Sequence, residues 1–263
     1  MNAKKSLSSI LYFIIPFGVL FFGWEVLSCL EVINPALFSR PSEIFWVMFD
    51  LLNPFTASFL KHSILLDLYS SLYRLLYAFV IAALIGVSLG MLMGRSKLIY
   101  RFFDPLVTVA MPVPGIAWTP IFIVWLGFGD PTIITVGALA AFFPILYNTV
   151  AGVRSLDKKL VWSAQSAGAN QRTVFLKVLL PWSAVYILTG FKLALARGWR
   201  TIIAVEMIAA TLLGLGYVIF DARDYTRNSI VFAGIAILAV TYFLLENVIK
   251  WIERHTIEKW GMV

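Results

Sequence analysis

Six long apolar runs, separated by short polar stretches, organise the chain. They cover approximately residues 10–30, 72–93, 102–126, 132–153, 183–213 and 229–249. Each reaches the ~20 apolar residues needed to cross a bilayer as a helix. The pattern predicts an all-α, polytopic membrane protein with about six transmembrane helices. Two polar-flanked segments differ from plain connections. Residues 41–52 begin with Pro41 at a plausible first helical turn and carry Trp46 among apolar neighbours, which predicts a helix lying in the membrane interface. Gly214-Leu-Gly216-Tyr217 and the charged stretch to Asn228 read as an exposed loop.

Composition supports lipid as the solvent. Hydrophobic residues make up 60% of the 263 and charged residues 13%, too few to cover a water-soluble surface. The net charge of +7 does not predict nucleic-acid binding, because the basic residues fall between apolar runs and not in one patch. Lys4, Lys5, Arg95, Lys97, Arg101, Arg154, Lys158, Lys159, Arg172, Lys177, Lys250, Arg254 and Lys259 all fall on one side of a six-span topology. The other side carries Arg40, Lys61, Arg223 and Arg227, partly balanced by acids. The bias of Lys and Arg towards cytoplasmic loops then places both termini and the 154–181 loop in the cytoplasm. The basic, apolar N-terminus lacks a small-x-small cleavage site after residue 30 and reads as a retained first span, not a signal peptide. Cys29 is the single cysteine, which excludes an internal disulfide. His62 and His255 fall on opposite sides of the membrane, so no metal site is expected. The whole chain, 1–263, reads as one membrane domain.

The stretch Asp157–Pro181, DKKLVWSAQSAGANQRTVFLKVLLP, is polar and centred on a glycine. Small or helix-compatible residues at 163–167 permit close approach to a groove on a partner. Gly168 allows the turn that ends a short helix. Residues 171–180 can form a second helical stretch, and Pro181 restricts the backbone as the chain enters the fifth run. Ser163-Ala164, three residues, Gly168, nine residues, then Val178-Leu179-Leu180-Pro181 resembles the cytoplasmic EAA loop of bacterial ABC importer permeases, E-A-A-x3-G-x9-I-x-L-P. Gly94-Arg95-Ser96, Phe143-Pro144 with Asn148-Thr149, Leu188-Thr-Gly190 through Arg200, Val205-Glu206-Met207 and Gly214-Leu-Gly216-Tyr217 resemble the subfamily that imports nitrate, sulfonates, taurine and bicarbonate. The similarity covers roughly residues 35–260.

The resemblance implies a type I ABC importer permease fold, a permease homodimer, two ATPase subunits and an external substrate-binding protein. It implies that Asp157, Trp162, Ser163, Ala164, Gly168 and Pro181 couple the permease to the ATPase in the bacterial inner membrane. One position departs from the pattern: Trp162 stands where Glu is usual. Docking there shifts from ionic towards apolar contact. No lysine directly follows a glycine in this chain, so no phosphate-cradling Gly-Lys-Ser/Thr loop exists in it. No cofactor is expected in the chain itself, which reads as non-enzymatic; ATP and Mg would be bound by the partner ATPase.

Charges inside an apolar run mark candidate function. The fifth run contains Arg197, Arg200 and Glu206. An arginine fork suits planar oxyanions, so these residues are candidates for the path of an anionic solute. The alternative is structural pairing of the arginines with Glu206, Asp104 or Glu25. Met111-Pro112-Val-Pro114-Gly115-Ile-Ala-Trp118-Thr119-Pro120 cannot form an undisturbed helix, and irregular backbone at membrane depth lines cavities or is buried in protein. Trp118 and Thr119 are therefore candidate contacts, with Asn148 and its neighbours Phe142, Phe143 and Pro144 behind them. An ion-gradient-driven transporter or channel is the rival function. An aromatic acid or vitamin precursor is the rival solute.

Overall fold

A computed structural model describes residues 2–34, 37–53, 64–224 and 227–257. Lys61, His62 and Lys259, and the side chains of Lys4 and Lys5, lie outside the described part. The described elements are helical: α1 (Asn2–Cys29), α2 (Pro41–Leu52), α3 (Ile64–Arg95), α4 (Lys97–Ala110), α5 (Thr119–Leu126), α6 (Asp130–Arg154), α7 (Lys158–Ser166), α8 (Gln171–Val174), α9 (Leu180–Ala209), α10 (Leu215–Asp224) and α11 (Asn228–Ile257). Ile64–Arg95, Asp130–Arg154, Gln171–Ala209 and Asn228–His255 are each long and apolar enough to cross a membrane. Within α1 the described apolar stretch is shorter, Ile15–Cys29.

The third predicted span is not one rod. α4 and the helical stretch Gly115–Leu126 are bent by 92° at their junction. Pro112 and Pro114 fall in the break, and each removes a helical N–H donor and crowds the preceding turn. The chain resumes with a 3-10 turn at Gly115–Trp118, and α5 carries Pro120 in its first turn, where no donor is required.

The chain divides into two compact units. The first comprises residues 1–67 and 218–239. Within it Glu25 of α1 caps α2: its carboxylate accepts from the Ser42 N–H at 3.0 Å and the Ser42 hydroxyl at 2.7 Å. A carboxylate at a helix N-terminus meets unpaired amides and a favourable dipole. α2 spans the residues predicted to be helical, Pro41 to Leu52, and leaves Phe45, Trp46 and Phe49 exposed. The stretch after Gly214 corrects an expectation. It is helix α10, not an exposed loop, and it buries Leu215, Val218, Ile219 and Ala222. That i, i+3, i+4, i+7 spacing is a helical stripe hidden among charges.

The second unit comprises residues 68–217 and 240–263, with α6 at its centre. Gly86, Gly90 and Gly94 of α3 face Ile145, Thr149 and Val153 of α6, one turn apart on each helix. A Cβ on Gly86 would stand 2.9 Å from Ile145 Cγ2, and one on Gly90 2.6 Å from Thr149 Cβ. Glycines every fourth residue let two helix backbones approach closely, as small residues do in membrane helix pairs. α9 packs on another side of α6, where Gly190 lies against Asn148 and the Pro144 carbonyl. Ala141, Ile145, Leu146, Ala194 and Ile202 are almost fully buried around this centre.

Candidate functional site

The broken span turns its backbone towards α6 and α9. A Cβ on Gly115 would stand 2.9 Å from Thr201 Cγ2 and 3.1 Å from Ala140 Cβ, so only glycine lets the break approach so closely. A cleft of about 430 Å³ opens beside it, bordered by Pro112, Pro114, Trp118, Phe143, Arg197 and Arg200, among others. Three predicted residues, Trp118, Arg197 and Arg200, therefore meet in one cavity. Thr119, the first residue of α5, is fully buried and does not border it. Asn148 donates to the Pro144 carbonyl at 2.8 Å and packs on Gly190, also outside the cleft.

The three acids proposed as partners for the arginines are engaged elsewhere. Glu25 holds Ser42. Asp104 lies beside Tyr100, one turn back on α4. Glu206 pairs with Arg74, whose Nη1 donates to Glu206 Oε1 at 2.7 Å. Among the described residues neither Arg197 nor Arg200 makes an ion pair with a carboxylate; Arg200 Nε donates to the Ala196 carbonyl at 3.1 Å. Lys192, in contrast, is ion-paired with Glu253 of α11.

Glu206 thus belongs to a second, buried site that the sequence did not reveal. Arg74 is 5% exposed and Glu206 0%. Arg74 also donates from Nε to Asp130 Oδ1 at 2.8 Å and from Nη1 to the Leu213 carbonyl at 2.8 Å. Ser71 donates to Glu206 at 2.8 Å and accepts the Leu215 N–H at 3.0 Å. The Gly216 N–H donates to Glu206 Oε2 at 3.0 Å. One guanidinium fork ties α3, the start of α6, the end of α9 and the 213–216 turn together. The signal available was Arg74 itself, a charge just inside an apolar run.

The 154–181 loop forms two helical pieces around Gly168, as its composition predicts. Asp157 caps α7 by accepting the Lys159 N–H at 2.9 Å, and Asn170 caps α8 by accepting the Thr173 N–H at 2.8 Å. Gly168 has φ +87°, the left-handed conformation that glycine adopts without strain. Trp162 and Ser163 project from α7 into solvent, Trp162 being 61% exposed; Ala164 is half-buried. Pro181 does not interrupt the chain's entry into α9. A π turn at Phe175–Leu179 precedes it, in which the Leu180 N–H reaches the Phe175 carbonyl, so 171–209 runs as one 39-residue helical stretch. The wider turn relieves the clash a proline ring makes with the preceding turn.

Long apolar helices, a broken span beside two arginines that have no carboxylate partner among the described residues, and a capped polar helix between two spans fit a membrane transport subunit. The family model described as "Binding-protein-dependent transport system inner membrane component" matches residues 82–258, and the chain belongs to that family: it is the permease subunit of an ABC importer. The taurine transport system permease protein of Escherichia coli K12 is 33% identical over 90% of this chain and 86% of its own length. The nitrate import permease protein of Leptolyngbya laminosa is 32% identical over 64% of this chain and 60% of its own length. The bicarbonate transport system permease protein of Synechococcus elongatus is 31% identical over 62% and 59%. The fold is that of the inward-facing MetNI methionine ABC transporter, matched with a TM-score of 0.64 at 17% identity over 72% of this chain and 94% of that one. The protein is therefore a polytopic inner-membrane permease, and permeases of this family work with an ATPase and a substrate-binding protein.

Proposed function

We propose that the cleft beside the broken span lies on the path of a small oxyanion, of the sulfonate, taurine, nitrate or bicarbonate type, on its way into the cytoplasm. The observation that carries this reading is the pair Arg197 and Arg200, which border the cleft and have no carboxylate partner among the described residues. A planar oxyanion can accept from such forks, and the weak, exposed setting lets it leave again. Trp118 forms part of the wall; Thr119, Asn148 and Glu206 support the helices that hold it. The permeases similar to this chain that handle taurine, nitrate and bicarbonate favour the same solute class.

The whole chain acts in this reading as one permease domain, paired with a second copy and driven by two ATPase subunits. ATP and Mg bind to those subunits, since no Gly-Lys-Ser/Thr loop occurs here. Both termini and the 154–181 loop face the cytoplasm. The ATPase docks on α7 through Trp162, Ser163 and Ala164, while Asp157, Gly168 and Pro181 hold the shape that receives it. Trp162→Asp puts a charge where an apolar contact is needed, and Gly168→Val forces a β-branched residue to positive φ. Either is expected to lower ATPase co-purification by about tenfold, the effect of ~1.4 kcal/mol. Undiminished co-purification would remove α7 as the docking element.

The deciding experiment is ATPase activity of the reconstituted permease, ATPase and binding protein against taurine, alkanesulfonates, nitrate, bicarbonate, aromatic carboxylates and pyrimidines. Stimulation by an oxyanion, reduced about tenfold or more in Arg200→Gln through loss of a charge-assisted hydrogen bond, is the expected result. Stimulation only by an uncharged or cationic ligand, or normal transport by both Arg197→Gln and Arg200→Gln, would overturn the oxyanion path.

A further inference from the structure

We propose that a second cleft, behind α7, binds a phosphate ester anion, and that its source is an anionic phospholipid headgroup. The cleft has a volume of about 590 Å³ and is bordered by four cations, Arg95, Lys97, Arg154 and Lys158, with no acidic side chain among its lining residues. None of the four makes an ion pair with a carboxylate among the described residues. Asp157, next to Lys158, is occupied as the cap of α7. Asp104 lies beside Tyr100, the ring on which Arg154 stacks, and makes no ion pair with Arg154 among the described residues.

The two guanidinium groups are held in place. Arg95 donates to Gln171 Oε1 at 2.7 Å and lies over the Phe175 ring at 5.9 Å. Arg154 stacks on Tyr100 with 3.5 Å between its central carbon and the ring centroid. Each guanidinium carries five N–H donors, so both keep donors for an anion. Positioned forks of this kind suit a phosphate.

The rest of the wall decides the source. Val161, Phe175 and Leu179 give the lining an apolar share, which a free phosphate ion would not use. The cleft also sits where α3 ends at Arg95 and α6 ends at Arg154, the level at which apolar spans give way to polar chain. A headgroup phosphate with its glycerol ester meets both walls there. α7 presents Lys158, Val161 and Gln165 to the cleft, at i, i+3 and i+7, while Trp162, Ser163 and Ser166 are exposed. A bound headgroup would brace this helix from behind without covering Trp162. The inference depends neither on the imported solute nor on the ATPase docking through α7.

The test is hydrogen exchange of the backbone amides of residues 158–175 in the full-length protein. Nanodiscs of phosphatidylcholine alone are compared with nanodiscs containing phosphatidylglycerol. Phosphatidylglycerol is expected to slow exchange by about tenfold, and Lys97→Gln with Lys158→Gln to abolish the difference. Should that double variant not fold, raised salt applied to the unaltered protein must weaken the protection instead. Equal exchange in the two kinds of disc would overturn the proposal, as would protection that neither the double substitution nor salt removes. Protection produced by inorganic phosphate in phosphatidylcholine discs would keep the anion site and overturn its assignment to lipid.

Discussion

Arg74→Met is expected to cost most of the folded protein. It leaves Glu206, fully buried, without its guanidinium partner, and strips Asp130 and the Leu213 carbonyl of their donors at the same time. Breaking one partner out of a buried ion pair costs about 3–5 kcal/mol. That is comparable with the ~5–15 kcal/mol that holds a typical protein folded. Arg74→Lys should fall between, because a single ammonium cannot reproduce the fork that reaches Asp130, Glu206 and Leu213 together. The double variant Arg74→Met with Glu206→Met should recover part of the loss, since no lone buried charge remains. It should not recover all of it: the Leu213 carbonyl still lacks its donor, and the Gly216 N–H and the Ser71 hydroxyl now lose Glu206 as their acceptor. Thermal unfolding of the four proteins in detergent reads the series directly. An unchanged melting temperature in Arg74→Met would show that the network does not hold these helices together.

Gly90→Leu should be the next most damaging change. Its first side-chain atom would stand 2.6 Å from Thr149 Cβ and 3.1 Å from the Leu146 carbonyl, so α3 and α6 would have to part. Overpacking a tight contact costs about 1–3 kcal/mol, and more when backbone must move. Gly90→Ala should cost less than Leu, and Thr149→Gly should partly rescue it by clearing the opposing methyl and hydroxyl. Gly18→Ala is the internal comparison. Gly18 is also a helical glycine, in α1, but nothing stands within 4 Å of where its Cβ would be, so alanine there should be neutral or slightly stabilising. Monodispersity and melting temperature across these variants measure the effect. Equal melting of Gly90→Leu and the unaltered protein would mean that α3 and α6 do not need their close approach.

Much of the coupling segment was legible because its determinants are local. Asp157 and Asn170 cap the helices that follow them within three residues, and Gly168 supplies a positive φ at the turn between them. Pro181 was legible as a constraint but not as an outcome. Whether a proline ends a helix or is absorbed by a π turn depends on the carbonyls one turn back, and here Phe175–Leu179 widen to admit it. The predicted exposed loop after Gly214 was misread for a related reason. Its charges dominate the composition, whereas the buried stripe Leu215, Val218, Ile219, Ala222 is recognisable only on a helical period.

The arginines show the same division at the site. Arg197 and Arg200 stood out in an apolar run, but three acids were equally eligible as their partners. Those acids are separated from them in the chain by up to 175 residues (200 − 25), and nothing local ranks such pairings. The helices that bring Arg74 to Glu206 also leave Arg197 and Arg200 facing the break. Hydrophobic periodicity, proline placement and capping chemistry act within a few residues, so the sequence by itself determined that this chain would be a bundle of membrane helices, with one broken span and a capped polar segment between two others. Ion pairing and backbone approach act across long stretches of chain, 59 residues between Gly90 and Thr149 and 132 between Arg74 and Glu206, so only the tertiary structure decided which charges hold helices together and which remain for a ligand.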